Sequence, residues 1–199
     1  MKFSFALTLF LCFAVPLYAE MTDKEMIAVI NKVQRAYLAG NKDSLEELQK
    51  LPTNTAVPAL LPYFNQNFQL FRPDAKKEAE ARRIAKLILD LPGIDGFIKG
   101  LLKISPSKNP GWILHQRNGI IDMLIFVHNK TSVRLFADLL NDPDNALPDK
   151  DLGRFLALLN IPGAPFSKET QKEAITPEGM KRWKEWWETN KGDYPELTK

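Results

Sequence analysis

Cysteine is almost missing from this sequence: Cys12 is the only one, and it lies inside an apolar run near the start. A chain cleaved after that run has no thiol, which excludes disulfides, cysteine-ligated metal and a cysteine nucleophile. Histidine is nearly as scarce, with only His115 and His128. No HExxH spacing, glycine-rich phosphate loop or nucleophile elbow occurs, and no pair of catalytic carboxylates can be assigned. An excess of one charge is also lacking: 27 basic residues face 24 acidic ones, a formal net charge of +3. Such interspersed signs give no electrostatic footprint for nucleic acid or an anionic membrane. The basic residues Lys76, Lys77, Arg82, Arg83 and Lys86 alternate with Glu78 and Glu80, as on a solvated helix face. β-Branched residues are modest in number and no period-2 stretch is convincing, so strands are not expected.

What is present begins with an export signal. Met1-Lys2 is a short positive start, 3–15 is a nearly unbroken apolar run, and Pro16-Leu17-Tyr18-Ala19 ends on a small residue before Glu20. This is the layout of a secretory signal peptide cleaved after Ala19. The run is too short for a membrane span, which needs roughly 20 residues. A lipid-anchored Cys12 would need small residues before it, and Phe10-Leu11 are bulky. The expectation is a signal peptide over 1–19 and one helical domain over 20–199, in the periplasm or outside the cell, with no membrane anchor after cleavage. Removing the segment takes Lys2 and no acid, so the charge falls from +3 to +2. The remaining chain is large enough to be held by its core without disulfides.

Nearly every segment of the mature part reads as helix with punctuation. Thr22-x-x-Glu25 is a capping box. Met26, Ile30, Val33 and Tyr37 follow at helical spacing, and Gly40 supplies the stop. Asp43-x-x-Glu46 opens a short helix carrying Leu45, Leu48 and Leu51, ended by Pro52. Thr55 suits an N-cap for the next helix, with Pro58 in its first turn. Pro62 should kink that helix or delay its start. Pro73-Asp74 leads a helix to Leu91, Pro92-Gly93 breaks it, and 94–104 holds another. After a loop at 105–111, the segment 112–127 is apolar over most of its circumference and reads as the most buried element. Helices at 131–140 and 151–159 flank an acidic loop, and 167–174 is a short helix at best. Thr176-Pro177-Glu178 is a strong start for a last helix to about Lys191. The fold class is therefore all-α.

Sequential amphipathic helices joined by short breaks form either a bundle or a stacked-hairpin solenoid. Val57 with Leu60-Leu61, Phe97 with Leu101-Leu102, and Val133 with Leu139-Leu140 recur at intervals of 40 and 36 residues. Arg83 and Arg117 stand before the apolar runs of the partner helices. The stretch Ala56-Val57-Pro58-Ala59-Leu60-Leu61 resembles the start of the second helix of a HEAT repeat, and the spacing fits such arrays. The resemblance covers roughly 43–140. It implies stacked antiparallel helical hairpins in a short HEAT-like α-solenoid and protein–protein interaction as the function. Ile98 and Arg134 replace the proline of the first unit, so a non-repetitive helical bundle stays open. The helices at 22–39 and 176–191 read as atypical caps for the two ends.

A few side chains carry possible chemistry. At about 100° per residue, His115 shares a face with Asn118 and Asp122, a trio that can position an imidazole. No serine nucleophile or second carboxylate accompanies it, and the alternative is a polar stripe on an exposed side. His128-Asn129 reads as a helix C-terminus, the imidazole facing the dipole. Arg117 falls within its helix's apolar arc, so it requires an acidic or carbonyl partner from a neighbouring helix, and a structural ion pair between repeats is expected rather than a ligand contact. Asp142, Asp144, Asp149 and Asp151 invite a calcium reading. An EF-hand would need glycine at position 147 and glutamate at 153, where the chain has Leu147 and Gly153. That leaves a looser carboxylate site or a solvated turn in which Asp149 or Asp151 caps the next helix. Met180, Trp183 and Trp187 form a core stripe, with Trp186 at its edge.

The sequence thus points to an exported helical-repeat protein that works as a protein–protein interaction module or scaffold. No metal, no cofactor, no nucleic acid and no catalytic residue is expected. Trp186 and Trp112 are the candidate binding residues, since an exposed indole can anchor a protein partner or stack on a sugar. A glycan- or envelope-component-binding module is the second reading. A small hydrolase or lyase using His115 with Asp122 is the third.

Overall fold

In the computed structural model, the residues described are 21–68, 74–104, 111–142 and 147–194. The expected signal segment 1–19, with Cys12, lies outside them, as does Asp144 of the calcium reading. Helix α1 (Asp23–Leu38) starts at the expected capping box: Glu25 N–H donates to Thr22 Oγ1, while Thr22 N–H donates to Glu25 Oε2 at 2.7 Å.

A 3₁₀ helix follows over Lys42–Lys50, where the sequence suggested an ordinary helix opened by Asp43. The reason lies in the leucines. Leu45, Leu48 and Leu51 recur every third residue, and only a helix of three residues per turn stacks them in one line. All three are buried. Ser44, not Asp43, holds the entry, its hydroxyl donating to Asn41 O at 2.7 Å.

Helix α2 (Thr53–Asn67) begins three residues earlier than expected, with Pro52 at the N-cap instead of Thr55. Pro58 and Pro62 both lie inside it and neither delays it. They are one turn apart, so the carbonyls they leave without a donor share one side of the helix. Pro62 is exposed, which gives water access to that side. The opposite side buries Ala56, Val57, Leu60, Leu61 and Phe64.

Asp74 caps α3 (Ala75–Leu89), accepting from Lys76 N–H at 2.9 Å. After the Pro92-Gly93 break comes α4 (Ile94–Leu102), then α5 (Gly111–Val127) and α6 (Lys130–Ala137), which tightens into a 3₁₀ turn over Asp138–Asn141. His128 adopts a left-handed φ of 51° after α5, and its N–H closes the helix on Leu124 O. Its side chain is exposed, so the backbone rather than the imidazole makes the stop. Asn129 caps α6 by accepting from Ser132 N–H at 2.9 Å.

Helix α7 (Asp149–Leu158) has Pro148 at its N-cap, so Asp151 lies within the helix and caps nothing. A single turn, α8 (Gln171–Ala174), precedes α9 (Pro177–Asn190), which starts as read: Gly179 N–H donates to Thr176 Oγ1 at 3.0 Å. The described residues are all-helical.

Buried apolar side chains form one continuous cluster from Val33 to Trp187. Helix α2 is its hub, lying against the first 3₁₀ helix, α3, α4 and α5. Met180, Trp183 and Trp187 of α9 are buried as a stripe. The chain then folds back. Lys130 Nζ donates to Asp193 O at 3.0 Å, Arg134 Nη1 to Tyr194 O at 2.8 Å, and Asn141 Nδ2 to Glu188 Oε1 at 2.9 Å. Asp138 receives both Lys99 of α4 and Arg134 of α6, each at 3.0 Å, tying α4 to the end of α6.

Candidate functional site

Helix α5 carries the side chains that the core does not use. Ile113, Arg117, Ile120, Ile121 and Leu124 are buried, whereas Trp112, His115 and Asn118 face solvent and Asp122 is half-buried. The helix is therefore not enclosed on all sides. His115, Asn118 and Asp122 lie at i, i+3 and i+7, and the helical period brings them onto one stripe, as expected.

That stripe lines a cleft. Asn65 and Phe68 at the end of α2, with His115, Asn118, Gly119 and Asp122 of α5, line an open cleft of about 210 Å³. Gly119 lets the two helices come close: a β-carbon there would lie 2.9 Å from Leu61 Cδ2 and 3.3 Å from Asn65 Nδ2. Phe68 is fixed by stacking on Phe64 at 5.2 Å, and Phe126 meets both rings edge-on. The Arg82 guanidinium sits over Phe126 at 4.8 Å and is spent on Glu78 at 2.9 Å.

The polar groups of the cleft are unspent. Among the described residues, Asn65, His115, Asn118 and Asp122 have no hydrogen-bond or ion-pair partner. Nearby Asn67 shows the contrast, donating to Tyr63 O at 2.8 Å and to Tyr37 Oη at 3.3 Å. Burial pushes the Asp122 carboxyl above the usual aspartate range. No lysine or arginine lines the cleft, so this carboxylate has no compensating charge there.

The two candidate tryptophans have different fates. Trp112 is 54% exposed at the head of α5, one turn before His115, and its indole N–H has no partner among the described residues. Trp186 is half-buried and donates Nε1–H to Gly163 O at 3.1 Å. Its ring lies between Trp183 at 5.7 Å and Tyr194 at 5.8 Å. The structure does not bring the two indoles into one site: Trp112 extends the α5 surface, and Trp186 packs in the α9 aromatic cluster.

Arg117 is buried, and Nη1 donates to Ile104 O at 2.9 Å, just beyond the end of α4. The partner is thus the carbonyl alternative and not the ion pair. Its Nε has no hydrogen-bond partner among the described residues. Asp142 of the calcium reading pairs with Lys103 at 2.6 Å, and among the described residues no group of three His, Cys, Asp or Glu could hold a metal ion. No described helix is long and apolar enough to cross a membrane.

Sequence reasoning found the α5 half of the cleft and missed Asn65 and Phe68. Comparison of the chain with protein-family models, curated protein sequences and solved structures gives no match.

Proposed function

We propose that this chain is an exported helical binding module whose partner is a protein, and that the contact face is the outer side of α5 with its cleft against α2. One observation carries the reading: the unpartnered line Trp112, His115, Asn118 and Asp122 on a single helix. Of these, Asp122 is partly withdrawn from water without a partner, and such a carboxylate in a cleft beside an exposed indole has the composition of a recognition surface. The HEAT-like arrangement is part of the proposal. In its favour, the first 3₁₀ helix packs on α3 and α3 on α5, while α2 packs on α4 and α4 on α6. These are the contacts expected between like helices of successive hairpins.

A catalytic reading has less support. His115 and Asp122 share the cleft, but its other side chains are amides and a phenyl ring, with no nucleophile beside the imidazole. Glycan binding is favoured by a single feature, the exposed Trp112 ring, which offers a stacking face. The test is a photoreactive phenylalanine analogue at Trp112, with a control at exposed Glu185 on α9, both in the producing cell. A discrete protein adduct from position 112 alone supports the protein reading. Adducts of equal pattern from both positions, or none from either, overturn it.

A further inference from the structure

We propose that the α2–α5 cleft is a cation site, built to take the ammonium or guanidinium of a basic side chain presented by the partner protein, with Asp122 as its counter-charge. The inference rests on the protein-binding reading above and specifies what that face selects.

A carboxylate that is partly withdrawn from water and has neither donor nor cation raises the free energy of the folded chain. Asp122 is in that position. The cleft holds no lysine or arginine to neutralise it, and its other side chains, two carboxamides, an imidazole and a phenyl ring, make no hydrogen bond or ion pair with it. Elsewhere the chain places cations on partly buried carboxylates, as with Lys99 and Arg134 on Asp138 and Lys103 on Asp142. At Asp122 it does not.

The remaining walls suit the same ligand. Asn65 and Asn118 each offer a carbonyl oxygen that can accept from an N–H not engaged by the carboxylate. Phe68, packed on Phe64 and Phe126, supplies an aromatic wall for the methylene stem or for a cation–π contact. A volume of about 210 Å³ equals the share of about seven waters, enough for a guanidinium and part of its stem. An anion would meet Asp122 unfavourably.

The probes are capped single amino acids: N-acetyl-arginine methylamide, the lysine equivalent, and the citrulline equivalent, which keeps the shape of arginine without its charge. Putrescine is the free-amine control. Two-dimensional ¹H–¹⁵N NMR of the mature chain follows the Gly119 amide and the side-chain amides of Asn65 and Asn118, with probe up to about 20 mM, because one charge-assisted contact gives affinity of millimolar order. The expected result is a saturable shift of these signals with arginine and lysine probes, about tenfold or more weaker with citrulline. Asp122→Asn, which keeps size and fold, should abolish the preference for the charged probe. The proposal is overturned if citrulline binds as well as arginine, if only putrescine binds, or if no probe moves these signals. The adduct from position 112 separates the two levels. If it forms while the titrations fail, only the cation assignment falls. If it is absent, the protein-binding reading falls as well.

Discussion

Gly119 of α5 stands over Leu61 of α2 with no room for a side chain: a β-carbon would lie 2.9 Å from Leu61 Cδ2 and 3.2 Å from Cγ. Leu61 is 2% exposed and hemmed by the core, so it has little freedom to yield. The close approach sets the width of the cleft whose walls are Asn65 and Asp122.

Gly119→Ala should therefore destabilise the chain despite alanine's better helix propensity. Overpacking costs about 1–3 kcal/mol, and the propensity gain returns at most about 1 kcal/mol. The expected net loss is about 1 kcal/mol in urea unfolding, with weakened binding of the arginine probe. A variant more stable than the parent would show that α2 shifts freely on α5.

Asp122→Asn should stabilise the chain at neutral pH. Burial raises the carboxyl's pKa in the folded state above its unfolded value. Within that window the folded chain binds more protons than the unfolded chain, so stability falls as pH rises through it. The full penalty is present above the raised pKa and absent below the ordinary aspartate value of about 3.9. Thermal melts should thus place Asp122→Asn above the parent at pH 7 and level with it near pH 3. Equal melting temperatures at pH 7 would mean that the carboxylate has a partner in solution.

Arg117 offers a paired comparison. Its Nη1 reaches Ile104 O, but Nε is unsatisfied in an apolar setting. Replacing a buried charge by an apolar group of similar length is often neutral or favourable. Arg117→Met should therefore match or exceed the parent in chemical denaturation. Arg117→Ala, which also removes the packed stem, should lose about 1–3 kcal/mol. If Met is as damaging as Ala, the guanidinium makes a contribution that its hydrogen bonds do not account for.

The four tryptophans should separate by fluorescence. Trp183 and Trp187 are buried at 0% and 3%, whereas Trp112 is 54% exposed. Trp112→Phe is expected to remove most acrylamide quenching and shift the emission to the blue, with the melting temperature unchanged. Persistent quenching would place another indole in water.

Much of the helical plan was legible in single residues. Thr22 with Glu25 and Thr176 with Pro177 marked their starts because capping is local chemistry between neighbours in the chain. The Leu45, Leu48, Leu51 triplet held its own correction, a spacing of three that belongs to a 3₁₀ helix. Thr55 misled, because a threonine suited to capping lies just inside a helix that starts at Thr53. The α5 stripe of His115, Asn118 and Asp122 followed from periodicity alone. The opposite wall did not. Asn65 and Phe68 join the site through tertiary crossing of α2 and α5, and the one trace of that crossing in the sequence is a glycine inside an apolar helix.

The backbone carbonyls of Asp193 and Tyr194, held by Lys130 and Arg134, bear on the order in which the chain assembles. Most helices meet neighbours close in sequence, so their contacts close short loops at little entropic cost. The clasp at 193–194 must close a loop of about sixty residues, which carries a larger cost and rewards little until α9 has docked. It should be the last part of the described chain to form and the first to open. Local opening there would expose Trp187 and Tyr194 while α2 and its cleft stay intact. The proposed binding face and this clasp thus lie in different parts of the chain, so fraying at one should leave the other undisturbed.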